Sequence, residues 1–342
     1  MISTVEAVLT ATDGPSVAVS TLAARVPLAR ELTTLKRVYD AGRPGTWAER
    51  AFVRAWRALV AGTAPDVVAQ RELAAAAAAA RLGALDAWWM ASEGWDARRI
   101  ADALTRGWNS AADTLACELT EIERAAITDA IAEVAHEAAN AARDPREIGG
   151  LTAEPSFVSR LAAQPRAGPT HPALPRLILL PTESHADHCW SVAVIGALLA
   201  PAYGADIGAV FLAGLAHHLP NAWLPDAGWA ADVALGDALG DSWARLGERA
   251  LAELPETLRT AARAGFQLPQ DVASAEARAF HAADALDRVL EMEWFSRAAA
   301  FRLDDALGGL ADGGFDVLHA GHAQAVEREA LASMGFAVGD AA

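Results

Sequence analysis

Residues Ala74–Ala80 are seven alanines in a row, and this run limits the fold more than any other part of the chain. Alanine loses no side-chain entropy in a helix, and a helix face built only of methyl groups lets a neighbouring helix come close. Around it, apolar residues recur near the helical period: Leu22, Val26, Leu28, Leu32 and Leu35, then Ala51, Val53, Trp56, Leu59 and Val60. Ile100–Trp108 and Ala112–Ala142 continue the pattern, with Asp96 and Asn109 placed to cap helix starts. Runs of alternating Val, Ile, Thr and Tyr do not occur, and the chain has two tyrosines. An all-α fold is expected.

Turn-forming residues then divide the chain. Asp144-Pro145, Gly149-Gly150, Pro155, Pro165, Gly168-Pro169, Pro172 and Pro175 predict a linker over 144–175, between helical domains at 1–143 and 176–342. In the second domain helices are expected over 184–200, 205–219, 241–264 (bent near Pro255), 273–299 and 314–335. Six of the 11 tryptophans, Trp47, Trp56, Trp88, Trp89, Trp95 and Trp108, fall in the first. They read as anchors between helices, with Trp88-Trp89 as an alternative ligand or partner surface.

The net charge is −16, unevenly spread: −4 over residues 1–150 and −12 over 151–342. Such a surface repels phosphate backbones, which argues against nucleic-acid binding. A small phosphorylated substrate stays compatible, because a metal ion can dominate the field inside a pocket. Arginine outnumbers lysine 27 to 1, a mark of coding bias. The cysteines, Cys117 and Cys189, form no CxxC pair, so a reduced, cytoplasmic protein is expected. Met1–Glu6 carries no signal-peptide pattern, and neither apolar window, Leu73–Met90 or Trp190–Ala202, suits a membrane span.

Seven of the nine histidines lie between residues 185 and 322. Residues three apart share a helix face, which pairs His185 with His188, His281 with Asp284, and His319 with His322. His188, the adjacent pair His217-His218, and Asp284 form an H…HH…D array on separate predicted helices. The array reads as the corners of one metal site, set against ordinary core or surface histidines. For His319 and His322 packing is the better reading, as it is for Cys189.

On these residues, 176–300 resembles the HD-domain superfamily of metal-dependent phosphohydrolases, particularly its 5'-deoxynucleotidase branch. Glu183 and His188 match its Glu-x-x-x-x-His helix start, His217 its dyad histidine, and Ala283-Asp284-Ala285-Leu286 its last helix. The resemblance implies an HD-like helical bundle in which His188, His217 and Asp284 hold one divalent ion. It implies Asp226 as a residue positioning water or protonating the leaving group, and Glu183 as a carboxylate holding a ligand imidazole. Nitrogen-rich ligation favours Mn, Co, Ni, Zn or Fe over Mg. The branch often dimerises through helices, so a homodimer is expected. Three positions depart from the pattern: His218 stands for the dyad Asp, Asn221 for a Glu, and Ile178 for a phosphate-gripping Arg, with Arg176 the nearest substitute. The expected function is hydrolysis of small phosphorylated, nucleotide-like compounds at an altered site, with His218 as a fourth ligand and Asp226, Asn221 and Glu183 as catalytic candidates. A degenerate HD-like binding or scaffold module is the alternative. A mononuclear iron redox enzyme, with three histidines and one carboxylate, is the third.

Overall fold

The computed structural model describes residues 17, 19–115, 118–143, 154–167, 180–226 and 228–300. The described residues are almost entirely helical, as expected. Short helices α1 (Val19–Ala23) and α2 (Val26–Thr34) run into a 3-10 turn, Leu35–Arg37, and an antiparallel hairpin of Tyr39–Asp40 with Arg43–Thr46. The hairpin was not foreseen. There follow α3 (Trp47–Val60), α4 (Pro65–Leu82), α5 (Ala87–Ser92), α6 (Ala97–Thr114) and α7 (Glu121–Arg143). Asp96 caps α6 as expected, its carboxylate accepting from Arg99 N at 2.8 Å. Asn109 caps nothing; it lies inside α6.

The segment expected to be an irregular linker contains α8 (Ser156–Ala163), which buries Phe157, Val158 and Leu161. Pro155, read as a breaker, is the residue before that helix. Next come α9 (His185–Tyr203), α10 (Ile207–Ala216), a 3-10 turn Leu219–Ala222, α11 (Trp229–Leu235), α12 (Gly240–Ala252), α13 (Glu256–Gln267) and α14 (Ala275–Ala300). Pro255 separates α12 from α13 where a bend was expected. The helix expected at 314–335, with His319 and His322, lies outside the described residues, as do Cys117, Arg176 and Ile178.

The chain forms two compact units, Met1–Arg288 and Val289–Ala342, so both sides of 144–175 lie in the first. The reason is packing. α9 is buried over the whole of His185–Ala200, too apolar all round to face water. It lies against α3 and α4 from before residue 144, α8 from within 144–175, and α10 from after it. Trp47 meets Trp190 edge-on at 5.1 Å, and Trp56 meets Phe157 at 4.9 Å. Ala74–Ala79 are all buried, with α6, α7 and α10 against α4. The α9–α10 crossing is tightest at Gly214, where an added Cβ would sit 2.4 Å from the Ala193 Cα. Among the described residues no helix is long and apolar enough to cross a membrane.

Candidate metal centre

Three of these elements carry the array, all within the first unit. α9 starts in a capping box, in which Ser184 Oγ accepts from Asp187 N and the Asp187 carboxylate accepts from Ser184 N, both at 3.1 Å. Asp187 also hydrogen-bonds Thr46 Oγ1, the cap of α3, so the two helix starts are joined. His188 follows in the first turn of α9. His217 and His218 form the turn that ends α10, and Asp284 lies on α14.

The chain sets the tautomer of each imidazole. His188 Nδ1 donates to Asp287 Oδ2 at 2.9 Å, and His217 Nδ1 donates to the Gly214 carbonyl at 2.8 Å. Asn221 Nδ2 donates to the Leu224 carbonyl at 3.1 Å, which turns its Oδ1 toward His218 Nδ1 at 2.8 Å. In the neutral form of each ring the proton lies on Nδ1, directed at the scaffold, and Nε2 is the atom left to bind an ion; when His188 is charged its Nε2 donates to Asp284 instead. His188 Nε2 lies 3.1 Å from His217 Nε2 and 3.3 Å from Asp284 Oδ1. Ligand atoms of His188, His217 and His218 all fall within 4.8 Å of one another.

Acceptors that face each other this closely call for positive charge between them. Burial and the charge of Arg166 lower the His188 pKa, but the bonds to Asp284 and Asp287 more than offset this, and it is raised. Burial would raise the Asp284 carboxyl, yet the hydrogen bond and charge of His188 hold it below its ordinary range. Burial pushes His217 down to about 3 and His218 well below its ordinary value. His217 and His218 are therefore neutral beside His188, and the Asp284 carboxylate lies against His188 alone, at 3.3 Å. The spacings suit a metal: two atoms each about 2.1 Å from one ion are about 3.0 Å apart at a right angle and about 3.4 Å apart at the tetrahedral angle. The donor set fits a divalent ion of the nitrogen-favouring kind. Asp284 is the open member, its side chain 42% exposed against 2% for His188.

The surroundings differ from expectation at Glu183. Glu183 was expected to hold a ligand imidazole, but Asp287 makes that bond. Glu183 instead meets Lys36 Nζ at 2.6 Å and Arg166 Nη1 at 3.4 Å, two cations that hold its carboxyl at about 2 against the pull of burial. Asn221, which stands where the resembled pattern has a Glu, spends its amide on His218 and Leu224. Asp226 accepts from Ala167 N and Gly228 N, both at 2.9 Å, and sits 3.6 Å from His185 Nε2. His185 donates Nδ1 to the Gln164 carbonyl at 3.1 Å, and its Nε2 is buried with no hydrogen-bond partner. His281 faces elsewhere, its Nε2 on the Asp271 carbonyl at 2.9 Å.

Four residues escaped sequence reading. Asp287 is one turn beyond Asp284, a spacing that does place two carboxylates on one face. Ser191 donates to Asp287 Oδ1 at 2.6 Å. Lys36 comes from the opposite end of the chain. Arg166 lies in the supposed linker, where an isolated antiparallel bridge of Pro165 with Ser184 and the bond from Arg166 N to the Glu183 carbonyl bring it beside α9. Its charge depresses His185, His188, His217, His218 and Asp284.

Residues 160–302 match the family model described as HD domain. The match supports the HD-domain superfamily for this part of the chain, and it begins far enough upstream to take in Arg166. No curated protein and no solved structure matches the chain.

Proposed function

We propose that this protein is a metal-dependent hydrolase of small phosphorylated, nucleotide-like compounds, related to the 5'-deoxynucleotidase-like branch of the HD superfamily. His188, His217, His218 and Asp284 are the ligands in this reading, and the ion is Mn, Co, Ni, Zn or Fe. The observation that carries it is the cluster of three imidazoles: the chain ties each Nδ1 outward, ligand atoms of His188, His217 and His218 lie within 4.8 Å of one another, and Asp284 is 3.3 Å from His188. Such an ion, when bound, lowers the pKa of a bound water and polarises a phosphoryl oxygen.

The other residues have roles set by their contacts. Arg166 is the candidate for gripping phosphate, in place of the arginine that the family pattern would put at Ile178, because its charge reaches every ligand of the site. Asp226, with a side chain 20% exposed beside His185, is the carboxylate placed to orient water or return a proton to the leaving group. Asn221 replaces a carboxylate, yet its fixed amide keeps His218 in the ligating tautomer, so this departure leaves ligation intact. With three neutral imidazoles and one carboxylate, a divalent ion would leave the site with a net charge of about +1, which suits an anionic substrate.

The test is phosphate release from a broad nucleotide panel by protein loaded in turn with Mn, Co, Ni, Zn and Fe. Release with at least one metal, lost in His217→Ala, is the expected result. Stoichiometric metal without turnover on any member would overturn the hydrolase reading.

A further inference from the structure

Lys36 is the only lysine in a chain with 27 arginines, and it is 2% exposed. A chain that otherwise uses arginine for positive charge has kept an ammonium at one place. Its Nζ is 2.6 Å from Glu183 Oε1 and 2.8 Å from Asp287 Oδ1. The same Asp287 Oδ1 accepts from Ser191 Oγ at 2.6 Å, and Asp287 Oδ2 accepts from His188 Nδ1 at 2.9 Å. Asp287 is fully buried.

We infer that Lys36 is a positioning residue of the metal centre, acting on His188 through Asp287. The carboxylate has two oxygens and two kinds of partner. Lys36 and Ser191 together occupy Oδ1, which fixes the rotation of the group and leaves Oδ2 for the imidazole. Held in that way, Asp287 keeps the proton on His188 Nδ1 and the Nε2 lone pair in the site. A compact ammonium with three donors can serve two carboxylates at this separation, whereas a planar guanidinium needs more room and a different fork. The 3-10 turn Leu35–Arg37 that carries Lys36 is thereby part of the centre, although it lies some 150 residues before α9. This inference rests on the proposal that the array binds a metal.

The experiment is a metal titration of Lys36→Met, Asp287→Asn and the double variant, with cobalt(II) as probe and its visible spectrum as readout. Lys36→Met should weaken cobalt binding about 10–100-fold, and the double variant should bind little worse than Asp287→Asn alone, because both changes break one relay. Wild-type affinity in Lys36→Met would overturn the inference, as would fully additive losses. If Lys36→Met does not fold, the wild type decides. Labelling with 15N-lysine gives a single ammonium resonance, which should shift when zinc is added; a resonance that stays still would overturn the inference. Wild-type protein that binds neither metal would bring down the metal centre itself and this role with it, whereas tight wild-type binding beside an unaffected Lys36→Met would bring down this role alone.

Discussion

Gly214→Ala tests whether the tight helix crossing sets the geometry of the site. Alanine in place of an interior helical glycine is worth about 1 kcal/mol in propensity, so the naive expectation is a more stable protein. The structure predicts the reverse. The new Cβ would lie 2.4 Å from Ala193 Cα, 2.5 Å from Ala193 N and 2.8 Å from Ala193 Cβ. Two of these atoms are backbone, so no rotamer relieves the clash, and reaching ordinary contact near 3.5–4.0 Å requires α10 to withdraw from α9 by about 1 Å. Overpacking of this kind costs about 1–3 kcal/mol and here should take the upper part of that range, for a net loss of about 1–2 kcal/mol. His217 is tied to the Gly214 carbonyl and would travel with α10, while His188 stays on α9. Their 3.1 Å separation would stretch to about 4 Å, close to the 4.2 Å that two ligands span on opposite sides of one ion. Metal affinity should fall at least tenfold. Urea denaturation of the chelated protein and a zinc titration measure the two effects. Gly240→Ala is the control, because a Cβ there meets nothing within 4 Å. If Gly214→Ala matches the control in stability and binds zinc as the wild type does, the crossing does not set the site.

Three further outcomes are expected. Asn221→Leu keeps the side-chain volume but removes the acceptor for His218 Nδ1, and should lower metal affinity about 10–100-fold by isothermal titration; unchanged affinity would mean that His218 is not a ligand. Arg166→Met should reduce kcat/KM on a phosphorylated substrate about 10–100-fold, the worth of a charged hydrogen bond, chiefly through KM; an unmoved KM would exclude Arg166 from substrate binding. Burial holds the His185 pKa at about 4 against 6.5 in the unfolded chain, so between those values the unfolded state binds more protons. The stability difference between chelated wild type and His185→Gln should therefore fall by about 3 kcal/mol as pH drops from 6.5 to 4. A difference that stays flat across that window would refute the burial argument.

The helices were legible because their apolar residues repeat at the helical period, and the period survives whatever the tertiary contacts are. Where punctuation had to be weighed, it misled. Pro155 looked like a breaker in a loop and turned out to precede α8, because Phe157, Val158 and Leu161 have a core to enter. Asn109 looked like a cap and lies within α6. The boundary expected at 144–175 rested on the same kind of signal. Turn residues mark where a helix stops, but only the burial of α9 against α3 and α4 shows that both halves share one interior. The H…HH…D array was legible as a pattern, whereas the side chains packed behind it were not. Lys36 is 147 residues from Glu183 and 251 from Asp287, and no local pattern encodes a pairing at that range.

The nitrogen that each histidine offers lies further still from the sequence. Two of the groups that set it, Gly214 O and Gln164 O, are backbone carbonyls, which any residue supplies. What selects them is the place where a helix ends or a bridge forms: His217 can reach the Gly214 carbonyl because α10 stops there, and His185 can reach Gln164 because the segment 164–167 pairs beside α9. Only Asp287 and Asn221 do this work with side chains. Asn221 reads in sequence as a lost carboxylate and therefore as decay. In the structure its carbonyl oxygen accepts the His218 proton while its amide nitrogen is held by Leu224, so the residue that stands for a carboxylate also fixes the neighbouring imidazole. The two departures from the family pattern, His218 and Asn221, are thus one change. One hydrogen bond of 2.8 Å joins them, and it commits His218 Nδ1 to Asn221.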